Sequence, residues 1–277
     1  MNVCDSHLPS LRMLRGIKTL RHAAAAGALG LLLWPGFDAA WVSFSPNSYL
    51  TPPTGDWSLK WYRTLAEDRR WSAALGRSFV LAASTATAGV LCAGPAAWAV
   101  QRSRFFGRRL FKAGLLLPAV VPPAVLGMGL LPFLYRFDLV GSPVALLGAH
   151  TVVALPLLYW IFGMGLVQHS EKLEASARGL GASPVLVLRF VTLPLLRPAI
   201  VAAWVCGFLI SWNESLVTIF LTTPSTETLP TLTWRQLKFS ASPLVAAAST
   251  VGLVGNLLGI GIVVRIAARF RRLHVGA

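Results

Sequence analysis

Residues able to do chemistry are few in this chain, and their scarcity narrows what it can be. Only 10 of its 277 residues are Asp or Glu, against 25 Lys and Arg. One carboxylate stands apart: Glu214 follows Trp212 and Asn213 inside a long apolar run. A carboxylate at membrane depth costs about 2.5–3.5 kcal/mol unless it meets a partner or a wet cavity. Beside an aromatic face it suits an elongated cation, through charge pairing and cation–π contact. It can equally pair with an arginine or pack against a sister subunit. Asp38 and Asp138 lie nearer the ends of apolar runs, as interfacial residues do. His7, His22, His150, His169 and His274 form no metal-ligand spacing, and no acidic pair shares a helix face within an apolar run. Cys4, Cys92 and Cys206 are too scattered for a disulfide framework or a metal site. The pattern Gly, four residues, Gly-Lys-Ser/Thr is absent from the sequence, so ATP hydrolysis would have to come from another chain.

The elements that must carry these residues are set by composition. Hydrophobic residues make up 55% of the chain and its mean hydropathy is +0.63, above the range of soluble domains. The net charge of +15 sits in short clusters between apolar runs, which disfavours a nucleic-acid surface. A hydrocarbon core about 30 Å thick needs about 20 apolar residues in helix. Six runs meet that length: Ala23 to Phe44, Ala73 to Val100, Leu110 to Tyr135, Pro143 to Val167, Leu195 to Leu221 and Leu244 to Ala267. The first is the weakest. Its stretch from Ala23 to Leu33 resembles the apolar region of a signal peptide, with Ala39 and Ala40 as small cleavage residues. Trp34, Phe37, Trp41, Val42 and Phe44 extend it past Asp38, as a retained span requires.

Positive charge orients the bundle. Arg12, Arg15, Lys18 and Arg21 precede the first run, and Arg102, Arg104, Arg108, Arg109 and Lys112 separate the second from the third. Lys172, Arg178, Arg189 and Arg197 follow the fourth, and Arg265, Arg269, Arg271 and Arg272 close the sixth. One side thus holds 17 of the 25 cations, which predicts both termini and the loop from Gln168 to Leu193 in the cytoplasm. The expected organisation is a cytoplasmic segment 1–22, a transmembrane domain 23–267 with a loop 168–194, and a cytoplasmic tail 268–277. Pro95, Pro118, Pro122, Pro123, Pro156 and Pro198 are expected to kink helices. Gly252, Gly255 and Gly259 put small residues near one face of the last run, for close packing.

The cytoplasmic loop has its own pattern. Glu171 to Leu180 are good helix formers, and Gly181 can supply the positive φ that ends a helix. Ser183 and Pro184 fit the N-cap and first position of a second helix. Leu173, Ala177 and Leu180 form an apolar stripe beside Glu174 and Arg178. A stripe outside the membrane requires a partner.

This loop resembles the EAA loop of permease subunits of binding-protein-dependent ABC importers. That pattern is Glu-Ala-Ala, three residues, Gly, nine residues, Ile, one residue, Leu-Pro. Gly181, Val191, Leu193 and Pro194 reproduce its second half, with Val in place of Ile. The Glu-Ala-Ala positions hold Ala175, Ser176 and Ala177, so the family glutamate is absent from its usual place. Glu174, one residue earlier, is the expected substitute, displaced about 100° around the helix.

Phe44, Ser45, Pro46, Pro52, Pro53 and Trp57 to Tyr62 resemble the first periplasmic loop of polyamine-type permeases. Phe220 to Pro224 with Glu227 to Pro230 and Trp234, followed by Ser242 and Pro243, are similar to their loop before the last span. The resemblance implies an all-α integral membrane fold: a six-transmembrane-helix ABC importer permease with a cytoplasmic coupling helix, in a bacterial inner membrane. It further implies no bound cofactor, ATP-Mg on a partner ATPase dimer, a second permease subunit, and a periplasmic or extracellular substrate-binding protein. A spermidine- or putrescine-like cargo is expected, with other ABC cargoes (aminophosphonate, opine, ferric iron) or an ion-coupled secondary transporter as the competing readings.

Overall fold

The computed structural model describes residues 11–168, 171–240 and 242–275. Among them every regular element is a helix: α1 (Leu11–Val42), α2 (Lys60–Glu67), α3 (Arg69–Arg102), α4 (Arg108–Leu116), α5 (Pro123–Arg136), α6 (Pro143–Gln168), α7 (Glu171–Gly179), α8 (Pro184–Val187), α9 (Leu193–Asn213), α10 (Thr218–Leu221), α11 (Leu229–Phe239) and α12 (Pro243–Val275). His7 and Cys4 lie outside the described residues, as do His169 and the last two residues.

Four helical stretches are long and apolar enough to cross a bilayer: Arg69–Arg102, Pro143–Val167, Pro184–Asn213 and Pro243–Ile266. The third expected run is not a straight span. Arg108–Ala119 and Pro123–Arg136 meet at 106°, because Pro118, Pro122 and Pro123 remove three backbone donors within six residues and Pro123 disfavours the helical conformation at the residue before it. Taken as one broken span, this pair is the fifth crossing. The 32-residue helix α1 covers the first expected run as far as Val42 without being one of these stretches, and runs unbroken through Ala39 and Ala40. Pro95, Pro156 and Pro198, by contrast, lie inside continuous helices.

The core is where α3, α6 and α9 cross. Leu158 is fully buried there with Ala93, Ala97, Phe162, Leu196 and Ala203. Small residues at the crossing let the backbones approach, so van der Waals packing can act where lipid supplies no hydrophobic drive. The α9–α12 contact follows the same rule: a side chain on Gly255 would come within 3.0 Å of the Trp212 ring. Two further apolar clusters close the far end, one around Trp71, Trp212 and Leu232, the other around Leu134, Leu146 and Leu221.

Candidate functional site

Local signals build the loop as the sequence suggests. Helix α7 ends when Gly181 takes φ +87°, and the Ala182 N–H then reaches the Ala177 carbonyl at 3.1 Å, closing the last turn in a Schellman-type arrangement. Ser183 caps the next helix, its hydroxyl accepting from the Leu186 N–H at 3.4 Å with Pro184 just inside. The Leu193-Pro194 pair has a structural reason too. A π turn over Leu188–Thr192 sends the Leu193 N–H to the Leu188 carbonyl, and the widened turn takes in a proline that cannot donate. Val191 is half-buried in that turn, beside the buried Thr192.

Glu174 faces inward. Its side chain is only 8% exposed and turns toward the spans. Oε1 lies 3.5 Å from Arg102 Nη2 and accepts from the Thr192 hydroxyl at 3.2 Å, while Oε2 lies 3.5 Å from Arg178 Nη2. Arg102, at the end of α3, also bonds Glu171 at 2.5 Å and the Leu166 carbonyl at 3.3 Å. Glu174 is therefore a strut from α7 to α3 and α9. The exposed residues of α7 are mixed, Lys172 and Arg178 beside Leu173 at 51%, Ala175 and Ser176, and Leu180 at 90% and Val185 at 71% continue the exposed apolar surface beyond it. Ala177 is half-buried.

The second candidate group is rearranged. The fifth span ends at Asn213, short of the expected Leu221, and Glu214 is its C-cap. Half-buried there, its Oε1 accepts from the Val217 N–H at 2.8 Å and supports the turn into α10. Trp212 is buried and packs flat on Phe208, with ring centroids 5.7 Å apart, while its Nε1 donates to the Gly252 carbonyl at 3.2 Å. Asn213 is exposed and paired reciprocally with Asn256 of α12, at 2.7 and 2.9 Å. Trp212, Asn213 and Asn256 join Thr233, Trp234 and Ser249 around a cavity of about 440 Å³. Glu214 does not line it.

Two polar clusters were not legible as sites in the sequence. His150, 1% exposed, bonds Ser211 Oγ at 2.7 Å through Nδ1 and Thr218 Oγ1 at 2.8 Å through Nε2. Ser211 in turn donates to Thr85 at 3.3 Å, so one buried network ties α3, α6, α9 and α10 together. The signal was present only as a lone His in an apolar run, with no spacing to reveal partners far along the chain. At the end opposite the loop, Glu227 is buried beside Arg235 and Arg70, the latter at 3.6 Å, while Arg77 Nε donates to the Glu227 carbonyl at 2.8 Å. Burial pushes the Glu227 carboxyl above its ordinary range, against the opposing pull of the Arg70 and Arg77 charges.

A short helix braced against a bundle of long apolar helices, with one broken span among them, is the arrangement of a transporter's membrane subunit. The chain belongs to the family described as the binding-protein-dependent transport system inner membrane component, whose profile matches residues 86–272. It is an ABC importer permease, a transport subunit and not an enzyme. Among its relatives is the putrescine transport system permease protein PotI of Escherichia coli K12, 29% identical over 225 residues, 77% of this chain and 80% of that one. The spermidine/putrescine transport system permease protein PotC of the same strain is 31% identical over 199 residues, 72% of this chain and 75% of that one. The fold is shared with the crystal structure of a bacterial alginate ABC transporter, at TM-score 0.67 and 15% identity over 94% of this chain and 99% of that one. It is shared also with the MetNI methionine ABC transporter, at TM-score 0.55 and 18% identity over 76% and 95%.

Proposed function

We propose that this chain forms one half of the translocation path of a polyamine importer, and that α7 transmits the movement of a cytoplasmic ATPase dimer to the spans. The observation that carries this reading is the two-sided character of α7. Its inner face is fixed by Glu174 to Arg102 and Thr192, while Leu173, Ala175, Ser176 and Leu180 stand outward without cover. Such a helix moves with α3 and α9 as a unit, which a coupling element must do. The orientation follows the positive charge, with both termini cytoplasmic.

Six crossings, counting α1, supply one bundle, so a second permease, identical or homologous, completes the path. A substrate-binding protein delivers cargo on the outer side, and ATP-Mg resides on the ATPase. The polyamine assignment rests on the PotI and PotC relationships and on the polar, aromatic cavity of Trp212, Asn213, Trp234 and Asn256. A carboxylate just outside that cavity, Glu214, attracts cations toward it. The test is uptake of radiolabelled putrescine and spermidine by proteoliposomes holding the assembled importer and its binding protein. ATP-dependent uptake of either supports the reading. Uptake confined to ferric iron or another solute would replace the cargo, and uptake persisting with an inactive ATPase would replace the mechanism.

A further inference from the structure

We propose that the cleft between α4 and α6 is a binding site for the headgroup of an anionic phospholipid. Two adjoining cavities make this cleft. One, of about 340 Å³, is lined by Arg108, Arg109 and Lys112 of α4 with Gln101 and Tyr159. The other, of about 380 Å³, shares Gln101, Lys112 and Tyr159 and continues along Trp160, Met164 and Val167 of α6. The cleft is therefore divided by chemistry: three cations at one end, an apolar wall at the other.

That division selects the ligand class. A phosphodiester needs convergent cationic donors, and Arg108, Arg109 and Lys112 supply them from successive turns of one helix. The buried Tyr159 adds a hydroxyl at the junction. Gln101 is held in place by its bond to the Gly163 carbonyl at 2.9 Å, which fixes the floor of the cleft. Neither cavity has an acidic side chain in its lining, so the cationic end repels a polyamine and attracts an anion. Trp160, Met164 and Val167 are exposed at 60%, 59% and 76%, and their spacing puts them on one stripe of α6 where an acyl chain can lie. A free phosphate or a nucleotide would have no use for that stripe. Basic pockets between spans at the cytoplasmic surface are suited to anionic headgroups.

The leaflet assigned to this lipid rests on the cytoplasmic orientation proposed above; the binding itself does not. The experiment uses the purified whole importer in detergent, with native mass spectrometry or lipid-exchange fluorescence reading retention of phosphatidylglycerol against phosphatidylcholine of the same chains. Phosphatidylglycerol should be retained preferentially, and Arg108→Gln, Arg109→Gln and Lys112→Gln should each weaken retention about fivefold. Arg108→Lys should keep it, and copurification of the ATPase subunit verifies that each variant is folded. Glycerol phosphate added without acyl chains should compete only weakly. Equal retention of the two lipids, or unchanged retention in the triple Gln variant, would overturn the proposal. Full competition by glycerol phosphate would overturn it in favour of a soluble anion. Accessibility labelling of cysteines placed at positions 109 and 176 tests the orientation separately, so failure of the one leaves the other standing.

Discussion

Replacing Glu174 by alanine removes the buried carboxylate that joins α7 to Arg102 of α3, to Thr192 just before α9 and to its own next turn, leaving the more exposed Glu171–Arg102 pair. Each of its two guanidinium partners lies 3.5 Å away. At an effective dielectric of about 20 that separation is worth about 5 kcal/mol of attraction per pair. Desolvation cancels much of it, and the Arg178 contribution is small because that side chain is 58% exposed. Arg102, 11% exposed, keeps the Leu166 carbonyl and Glu171. The net loss on truncation is therefore about 2–3 kcal/mol, within the range for buried charge-assisted contacts. That corresponds to about a 30- to 140-fold shift toward states in which α7 is held to α3 through Glu171 alone. The assay is cargo moved per ATP hydrolysed in proteoliposomes. Glu174→Ala should lower that ratio by about tenfold or more while the ATPase still copurifies and still turns over. Glu174→Gln should fall between, since an amide oxygen keeps the Thr192 contact. A ratio in Glu174→Ala equal to the parent's would refute the strut, whatever its effect on expression.

Other consequences follow from the same geometry. Gly181→Val places a β-branched residue at φ +87° and should cost about 2 kcal/mol in the turn, seen as reduced ATPase copurification. His150→Leu deprives Ser211 and Thr218 of a partner and should destabilise the bundle by about 1–3 kcal/mol, read as a lower thermal midpoint in detergent. Gly255→Leu should force α12 off the Trp212 ring and cost about 1–3 kcal/mol by overpacking, in the same measurement. Glu214→Gln keeps an acceptor for the Val217 N–H, so assembly should be retained while uptake of a polyamine cation falls; unchanged uptake would confine Glu214 to capping.

The loop was legible because its determinants are local. Gly181, Ser183 and Pro184 act within a turn or two of themselves, and each does what its type predicts. The inward aim of Glu174 was not legible, because its decisive partner, Arg102, arrives from the end of α3. The fifth span was read too long for a related reason. Ser215 to Leu221 is as apolar as a helix interior, and no Gly or Pro announces the break after Asn213; the stop is made by the Glu214 cap and by Thr218 meeting His150. The proline cluster at 118–123 was read as a kink and proved a 106° bend. Three nearby prolines compound the loss of donors in a way that a count of apolar residues does not show.

The coupling role of α7 depends on what its exposed face and the turn after it touch. A photoreactive phenylalanine analogue at Ser176 or Leu180, both exposed, should cross-link the ATPase subunit in inverted membrane vesicles, and the yield should change when ATP and vanadate are added. The same analogue at Trp160 on the α4–α6 cleft should not capture it. Absence of any ATPase adduct from either position 176 or position 180 in an active, assembled importer, or an equal adduct from position 160, would contradict the coupling role assigned to this helix.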